Sequence, residues 1–446
     1  MLSSRFCCPL ALALILGINL FAQAPSPSVR KENAPQIAQP GHNPLDDLIK
    51  KQQYGDLGRE LAHSRLPELE TDYYAGILAN RENKVDLSVR LLEKALPLLK
   101  TQQAAHAAIA LNTLADDYTK SFRYAEASRA LEEALAQFAD QFDKTEQQGM
   151  EDEFRLRGLL SETPRQTVEV HGSFTIPTHH SEIGTIDANI ATGGVTRSWV
   201  LDTGANFSTV TLSFAKQLGL KVSEKQAQTQ GVSGTRVPLH IAVLPSLSIG
   251  TATFHNVVLL VLEDSALNIT VQNGKYQIYA ILGYPVLGAL GALTFFPDRI
   301  QVDPVPNTTA DQGAPLYMEQ LMPLLACHLD GRELPFAFDT GATTTNFSAR
   351  YFRDFPKDFA ALKTKKSGLS GAGGMKMLET YELPKVELDV GKTTVELDKV
   401  TVFTAPLGTD MDYVYGNLGR DLITPFRSFT LDFVNMRFVL GEKLAK

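Results

Sequence analysis

Trp199-Val200-Leu201-Asp202-Thr203-Gly204-Ala205 and Phe336-Ala337-Phe338-Asp339-Thr340-Gly341-Ala342 are two copies of one pattern, an apolar run that ends in Asp-Thr-Gly-Ala. The two aspartates stand 137 positions apart, and so do Gly231-Val232-Ser233-Gly234 and Gly368-Leu369-Ser370-Gly371. Leu244-Pro245 recurs as Leu383-Pro384 at 139, and Leu282-Gly283 as Leu418-Gly419 at 136. Average composition predicts a chance Asp-Thr-Gly only ~0.1 times in a chain this long. Two copies with three further motifs near register therefore mark a duplicated unit. Carboxylates at equivalent places in two similar half-domains can meet across a pseudo-twofold axis, share one proton and activate a water.

Around these motifs the pattern is that of strands. From Thr167-Val168-Glu169-Val170 onward, apolar and polar residues alternate and turn residues recur. Asp330-Gly331, between two apolar runs, predicts a tight hairpin, and Gly193-Gly194 is its counterpart before the first Asp-Thr-Gly. Two mainly β lobes are expected, 167–303 and 315–446. They are joined by an interlobe linker, 304–314, that holds Pro304, Pro306, Asn307 and Gly313.

The chain before the lobes is different. Arg5, an apolar run from Pro9 to Phe21, and Ala22-Gln23-Ala24 have the layout of a secretory signal peptide (1–24), cleaved after Ala22 or Ala24. Cys7 and Cys8 lie before or at the start of that run, so the mature chain would keep Cys327 alone and form no intramolecular disulfide. Residues 25–44, with five prolines, read as a disordered linker. From 45 to 160 Ala and Leu recur at helical spacing. Leu111, Leu114, Ala115, Tyr118, Ala127, Leu131 and Ala134 sit where a tetratricopeptide repeat places its packing residues, and Gly76, Leu92 and Ala95 form a weaker copy 39 positions earlier. This region resembles a short tetratricopeptide array. Two readings remain open for it, a groove for a protein partner and a helical spacer that packs on the catalytic part.

With 44% hydrophobic and 21% charged residues among 446, the chain is globular in composition. A net charge of −8 without a long basic block argues against nucleic acid as a partner. No membrane span is expected in the mature chain.

On its paired Asp-Thr-Gly motifs, roughly 167–446 resembles an aspartic peptidase. The halves are closest in style to retroviral enzymes, with both fused in one chain as in pepsin-like ones. The fold class expected is multidomain: an all-α helical-repeat region, then a mainly β, bilobal acid-protease-like domain with pseudo-twofold symmetry. The resemblance implies that Asp202 and Asp339 are the catalytic pair. It also implies that Thr203 and Thr340 tie the loops together, and that Gly204 and Gly341 let backbone N–H groups approach the carboxylates. Gly231, Val232, Ser233 and Gly234, and Gly368, Leu369, Ser370 and Gly371, each 29 residues after their aspartate, resemble flaps that close on an extended peptide. Ile281-Leu282-Gly283 and Leu418-Gly419-Arg420-Asp421 resemble the segments behind the active-site loops. Two departures stand out. Asn417 replaces an apolar residue, and Asn206 and Thr343 replace the acid that often pairs with the arginine, leaving Arg420 to Asp421 or solvent.

This chemistry needs no metal and no cofactor. Ala205 and Ala342 cannot donate a hydroxyl to the carboxylates, so the pair should titrate high and work in mildly acidic to neutral conditions. The Gly-x-Ser-Gly stretches complete no nucleophile elbow, and His179-His180 lacks a matching ligand cluster. Cys327 on a predicted strand reads as a packed residue. The leading expectation is an exported aspartic endopeptidase, secreted or periplasmic. It would act on peptide or protein substrates as a single-chain monomer. The rival is a non-catalytic peptide-binding scaffold that uses the helical repeats.

Overall fold

The computed structural model describes residues 13–15, 43–230, 236–271, 274–371, 374–406 and 413–445. Most of the signal-like run and of the proline-rich stretch lies outside these residues. So do Gly231, Val232, Ser233 and Gly234.

Among the described residues, seven α-helices occupy the first part: α1 Pro44–Lys51, α2 Tyr54–His63, α3 Glu68–Arg81, α4 Val85–Gln102, α5 Ala104–Lys120, α6 Tyr124–Phe138 and α7 Lys144–Leu160. Two of them, α1 and α7, begin at side-chain caps. Asn43 caps α1 by accepting from the Leu45 N–H at 3.1 Å, with Pro44 at the first helical position. Asp143 and Glu146 form a reciprocal capping box on α7. Small residues set the spacing between helices. A methyl group on Gly76 of α3 would lie 2.6 Å from Leu92 Cδ2 of α4, so only glycine admits that approach. Leu92, Ala95, Leu111, Leu114, Ala115, Tyr118, Ala127, Leu131 and Ala134 are all buried.

From Thr167 the chain is mainly β. The turns at Gly193-Gly194 (φ 56° and 76°) and Asp330-Gly331 (φ 52° and 76°) are left-handed at both positions, the geometry that matches strand twist in a two-residue hairpin. Each hairpin's second strand, Val195–Leu201 or Arg332–Phe338, runs straight into an Asp-Thr-Gly loop. Strand order is the same in the two lobes. The first runs Ala227–Gln230, Arg236–Ile249, Ala252–Leu262, Ser208–Thr211, Ala280–Leu282, Val195–Leu201, Ile186–Thr192. The second runs Lys365–Gly371, Gly374–Val390, Thr393–Phe403, Asn346–Phe347, Gly416–Leu418, Arg332–Phe338, Met322–Leu329. The three residues Ala13–Ile15 pair in parallel with Leu369–Gly371 at the edge of the second.

A further layer joins the lobes. Phe174–Pro177, Arg299–Asp303, Ala292–Phe295, Phe429–Asp432, Arg437–Leu440 and Ala314–Glu319 hydrogen-bond in that order, so three strands from the first lobe continue into three from the second within one sheet. At its centre Ala292–Phe295 pairs antiparallel with Phe429–Asp432, and the hydroxyls of Thr294 and Thr430 meet at 2.8 Å. That contact lies on the pseudo-twofold axis relating the halves.

The helices pack on both lobes. Leu156 and Leu160 of α7 join the main β core, and Arg157 lies over the ring of Phe207. The remaining helices share a core with Tyr317, Met322, Leu324, Ala326, Tyr413 and Val414 of the second lobe. A buried polar network crosses this contact at the turn after Met318. Glu319 accepts from Gln52 Nε2 at 2.9 Å and Tyr54 Oη at 3.1 Å and pairs with Arg81 at 3.0 Å. Lys120 Nζ donates to the Met318 carbonyl at 3.1 Å. From the other side, Asn206 of the first lobe donates to the Gln320 carbonyl at 3.0 Å. Gln320 and Leu321 are both left-handed, at φ 50° and 64°. Two non-glycine residues in that region persist only where their surroundings dictate it. Without Glu319 the buried Arg81 keeps only Asp116, at 3.5 Å, as a counter-charge, and Gln52 and Tyr54 lose their acceptor. Glu319→Ala should therefore destabilise the full chain by about 3–5 kcal/mol, read as a lowered midpoint in urea unfolding; a change within error would deny the turn this role.

Candidate active site

Each Asp-Thr-Gly loop is anchored from behind by a short central strand. The Asp202 N–H donates to the Leu282 carbonyl at 3.0 Å, and the Asp339 N–H to Leu418 at 3.1 Å. The recurring Leu-Gly segments therefore lie under the two loops they were expected to support. The following glycines, Gly283 and Gly419, pack on the backbones of Ala205 and Phe207 and of Thr344, too close for a side chain.

The loops are tied to each other by their threonines. The Thr203 N–H donates to Thr340 Oγ1 at 3.0 Å, and the Thr340 N–H to Thr203 Oγ1 at 3.2 Å. Each hydroxyl then reaches into the opposite lobe. Thr340 Oγ1 donates to the Leu201 carbonyl at 2.8 Å, and Thr203 Oγ1 reaches that of Phe338 at 3.4 Å. Both threonines are fully buried.

Gly204 and Gly341 let the two loops approach closely. A methyl on Gly204 would lie 2.6 Å from Asp339 Cγ, and one on Gly341 2.8 Å from Asp202 Cγ. Each carboxyl thus rests against the other loop's glycine. The Gly204 N–H donates to Asp202 Oδ1 at 2.9 Å, the Gly341 N–H to Asp339 Oδ1 at 2.7 Å, and the Ala342 N–H to the same oxygen at 3.2 Å. The two carboxyls, 0% and 1% exposed, lie within hydrogen-bond reach of each other.

Burial and proximity shape their titration. Burial, and then the charge of Asp339, push the Asp202 carboxyl well above the usual carboxylate range. Burial raises Asp339 as well, but donors restrain the rise, first the Asn417 amide and then the carboxyl of Asp202. One proton is therefore held between the two side chains over a wide pH range. An ionised carboxylate beside a protonated carboxyl can act as base toward a water and as acid toward a carbonyl at once.

The remaining candidates fall as follows. Lys365–Gly371 and Gly374–Val390 form a long hairpin whose pairing runs to Gly371 opposite Gly374, so Gly368, Leu369, Ser370 and Gly371 stand at its far end. In the first lobe the matching strands pair as far as Gln230 opposite Arg236, which brackets the undescribed candidates. Arg420 does not pair with Asp421, as the sequence had left open. The Asp421 carboxylate is taken by the N–H and hydroxyl of Thr345, at 2.8 and 2.6 Å. The Arg420 guanidinium instead lies against Gly184 of the first lobe, where its charge reaches Asp339, Asp187 and Asp421. Asn206 holds the second lobe through Gln320. Asn417, seen in the sequence only as a departure from an apolar position, donates from Nδ2 to Asp339 Oδ2 at 3.1 Å. Among the described residues no group of three or more His, Cys, Asp or Glu could hold a metal ion. Cys327 is buried, and His179 and His180 are exposed.

Comparison with known proteins agrees with this geometry. Residues 186–286 match the family model described as Aspartyl protease, and residues 319–428 match the one described as Retroviral aspartyl protease. Each match contains one Asp-Thr-Gly loop, so two segments of the chain, both following the helices, are similar to aspartyl protease domains. Among solved structures, a retropepsin-like aspartic protease from Rickettsia conorii is similar at 20% identity over 31% of this chain and 92% of that one, with a TM-score of 0.21. No curated protein matches the chain.

Replacing Thr340 by valine keeps the shape but removes the donor to Leu201 and the acceptor for Thr203. Two buried polar groups would lose their partner. Thr340→Val should cost about 2 kcal/mol or more in unfolding free energy, measured by urea titration; an unchanged midpoint would show that the threonines do not hold the lobes together.

Proposed function

We propose that the protein is an aspartic endopeptidase that hydrolyses peptide bonds with a water held between Asp202 and Asp339. The observation that carries this reading is the contact of two fully buried carboxyls from separate Asp-Thr-Gly loops, braced by reciprocal threonine hydrogen bonds. Burying two acids together is costly unless their charge is shared or used. A structural role would be met more cheaply by apolar residues. The ionised carboxylate takes a proton from the water as it attacks the scissile carbonyl, and the protonated one hydrogen-bonds the developing oxyanion. Transfer of a proton to the departing nitrogen completes cleavage. The glycine-bearing hairpins, whose backbone groups can pair with an extended chain, support a peptide substrate in strand conformation.

The site is assigned residue by residue. Asp202 and Asp339 act on water and carbonyl; Thr203, Gly204, Thr340 and Gly341 shape the loops. Gly231 to Gly234 and Gly368 to Gly371 close over substrate. The leader-like layout of residues 1–24 supports export, to the periplasm or the medium. No described helix is long and apolar enough to cross a membrane. For the helical region, the buried network at Glu319 and the contact of α7 with the first lobe favour a brace over a free partner-binding module. A chain holding both aspartates can act as a monomer.

Asp202→Asn and Asp339→Asn should each lower cleavage of a diverse peptide mixture by on the order of 10³-fold or more while leaving thermal unfolding intact. A statine-containing peptide should inhibit the unchanged protein. Full activity in either variant would overturn the reading.

The rate should follow a bell-shaped pH profile. Activity is lost on the acid side when the ionised carboxylate takes up a proton, and on the alkaline side when the shared proton leaves. Both carboxyls are raised, so both limbs lie above their usual positions and the maximum falls in mildly acidic to neutral conditions. A maximum below about pH 3, under the ordinary aspartate value, would contradict this.

A further inference from the structure

The two lobes differ at one place beside the paired carboxyls. In the first, Ile281 lies between Val200 and Thr209 on the central strand behind the Asp202 loop. Its counterpart, Asn417, lies between Ala337 and Asn346 behind the Asp339 loop. Both are buried, at 0% and 2% exposure. Isoleucine offers nothing to a carboxylate. An amide buried on a central strand is costly unless it finds a partner, and the partner of Asn417 Nδ2 is Asp339 Oδ2, at 3.1 Å.

The second lobe also supplies support for that amide. Asn417 Oδ1 and Asn346 Nδ2 are each buried without a partner. The two residues stand directly opposite in an antiparallel pair and therefore share a face. One lacks a donor and the other lacks an acceptor, so small rotations would let Asn346 hold Asn417 from behind. The matching pair in the first lobe, Thr209 and Ile281, cannot build such a chain because isoleucine ends it.

Building on the reading of the site as a water-activating pair, we propose that Asn417 is a positioning residue that fixes the negative charge on Asp339 and leaves the shared proton on Asp202. Asp339 is then the base. It takes a proton from water as the water oxygen bonds to the carbonyl carbon, and the carbonyl π pair moves to oxygen, which receives the proton of Asp202. In the second half the C–N bond breaks. Asp339 passes its proton to the leaving nitrogen, and Asp202 recovers one from a hydroxyl of the collapsing diol. The pair ends as it began.

Donor geometry agrees with this division. Asp339 accepts from Gly341 N–H, Ala342 N–H and Asn417. Asp202 accepts from Gly204 N–H, with Ala205 N–H also facing it, and its Oδ2 meets no donor. The charged groups facing Asp339 are Asp202 across the axis and Arg420 on the turn after Leu418. Arg420 shares its charge with Asp187 and Asp421, both held by hydroxyls of their own lobes.

The test follows the two carboxyl carbons directly. Full-length protein labelled with carbon-13 at aspartate carboxyls is titrated by NMR, with resonances assigned through Asp202→Asn and Asp339→Asn. In the unchanged protein, the Asp339 carbon should report the lower midpoint of the pair and Asp202 the higher. Asn417→Ile should raise that lower midpoint by about one pH unit, the loss expected for a hydrogen bond to a charged group. The acid limb of kcat/KM should move with it. Ile281→Asn should give Asp202 the same donor and lower its midpoint by a similar amount. A folded Asn417→Ile protein whose lower midpoint moves by less than about 0.2 unit overturns the proposal. If that variant does not fold, Ile281→Asn decides in its place, and an unmoved Asp202 carbon overturns it. The titration is read whether or not any peptide is cleaved, so failure of this inference and failure of the peptidase reading are distinguishable.

Discussion

The constraint on which this molecule depends is the burial of two acids in one place. A carboxyl removed from water needs donors, a neighbour's proton, or both. The lobes provide these from backbone: N–H groups of Gly204, Gly341 and Ala342 aimed at the oxygens, and glycines small enough to let the acids touch. None of this survives if the loops drift apart. The threonine exchange holds them at one end of the axis, and the Thr294–Thr430 contact within the shared sheet holds them at the other. Two hydroxyl contacts on one axis, with a continuous sheet between the lobes, make the spacing of the carboxyls a property of the whole β region.

Much of this was legible in the amino acids because it is local or repeated. The Asp-Thr-Gly loops, the left-handed turns at Gly193-Gly194 and Asp330-Gly331, and the supporting Leu-Gly segments depend on residues next to one another or 136–137 positions apart in register. The buried positions of the helices were legible because small and large residues recur at helical spacing. What escaped reading is held through space by single polar contacts. Nothing in the neighbourhood of Asn417 announces that its amide meets Asp339, 78 positions away. Nor does Glu319 announce Gln52, 267 positions away, or Asn206 announce Gln320. The surroundings of Arg420 were left open between Asp421 and solvent for the same reason. Asp421 is adjacent in sequence, but its oxygens are already filled by Thr345. The six-stranded interlobe layer was also unread, since its strands are short and come from distant segments.

The turn at Glu319-Gln320-Leu321 is where three parts of the molecule meet. Its backbone conformation is unfavourable for the residues it contains, and its acid is buried. Both costs are offset by partners from α1–α3, α5 and the first lobe. This places the helices among the elements that shape the second lobe, which explains why their apolar faces continue into its core.

The unlike pair Ile281 and Asn417 bears on what it means for both halves to lie on a single polypeptide. A homodimer assembled from identical subunits must repeat any substitution on either side of its axis. A donor placed beside one acid would then stand beside the other too, and the symmetry could be broken only by an arriving ligand. Fusion removes that restriction. Each half is free to evolve its own surroundings, and an assembly that began as two equal copies can settle into a permanent division of labour, written into its genes.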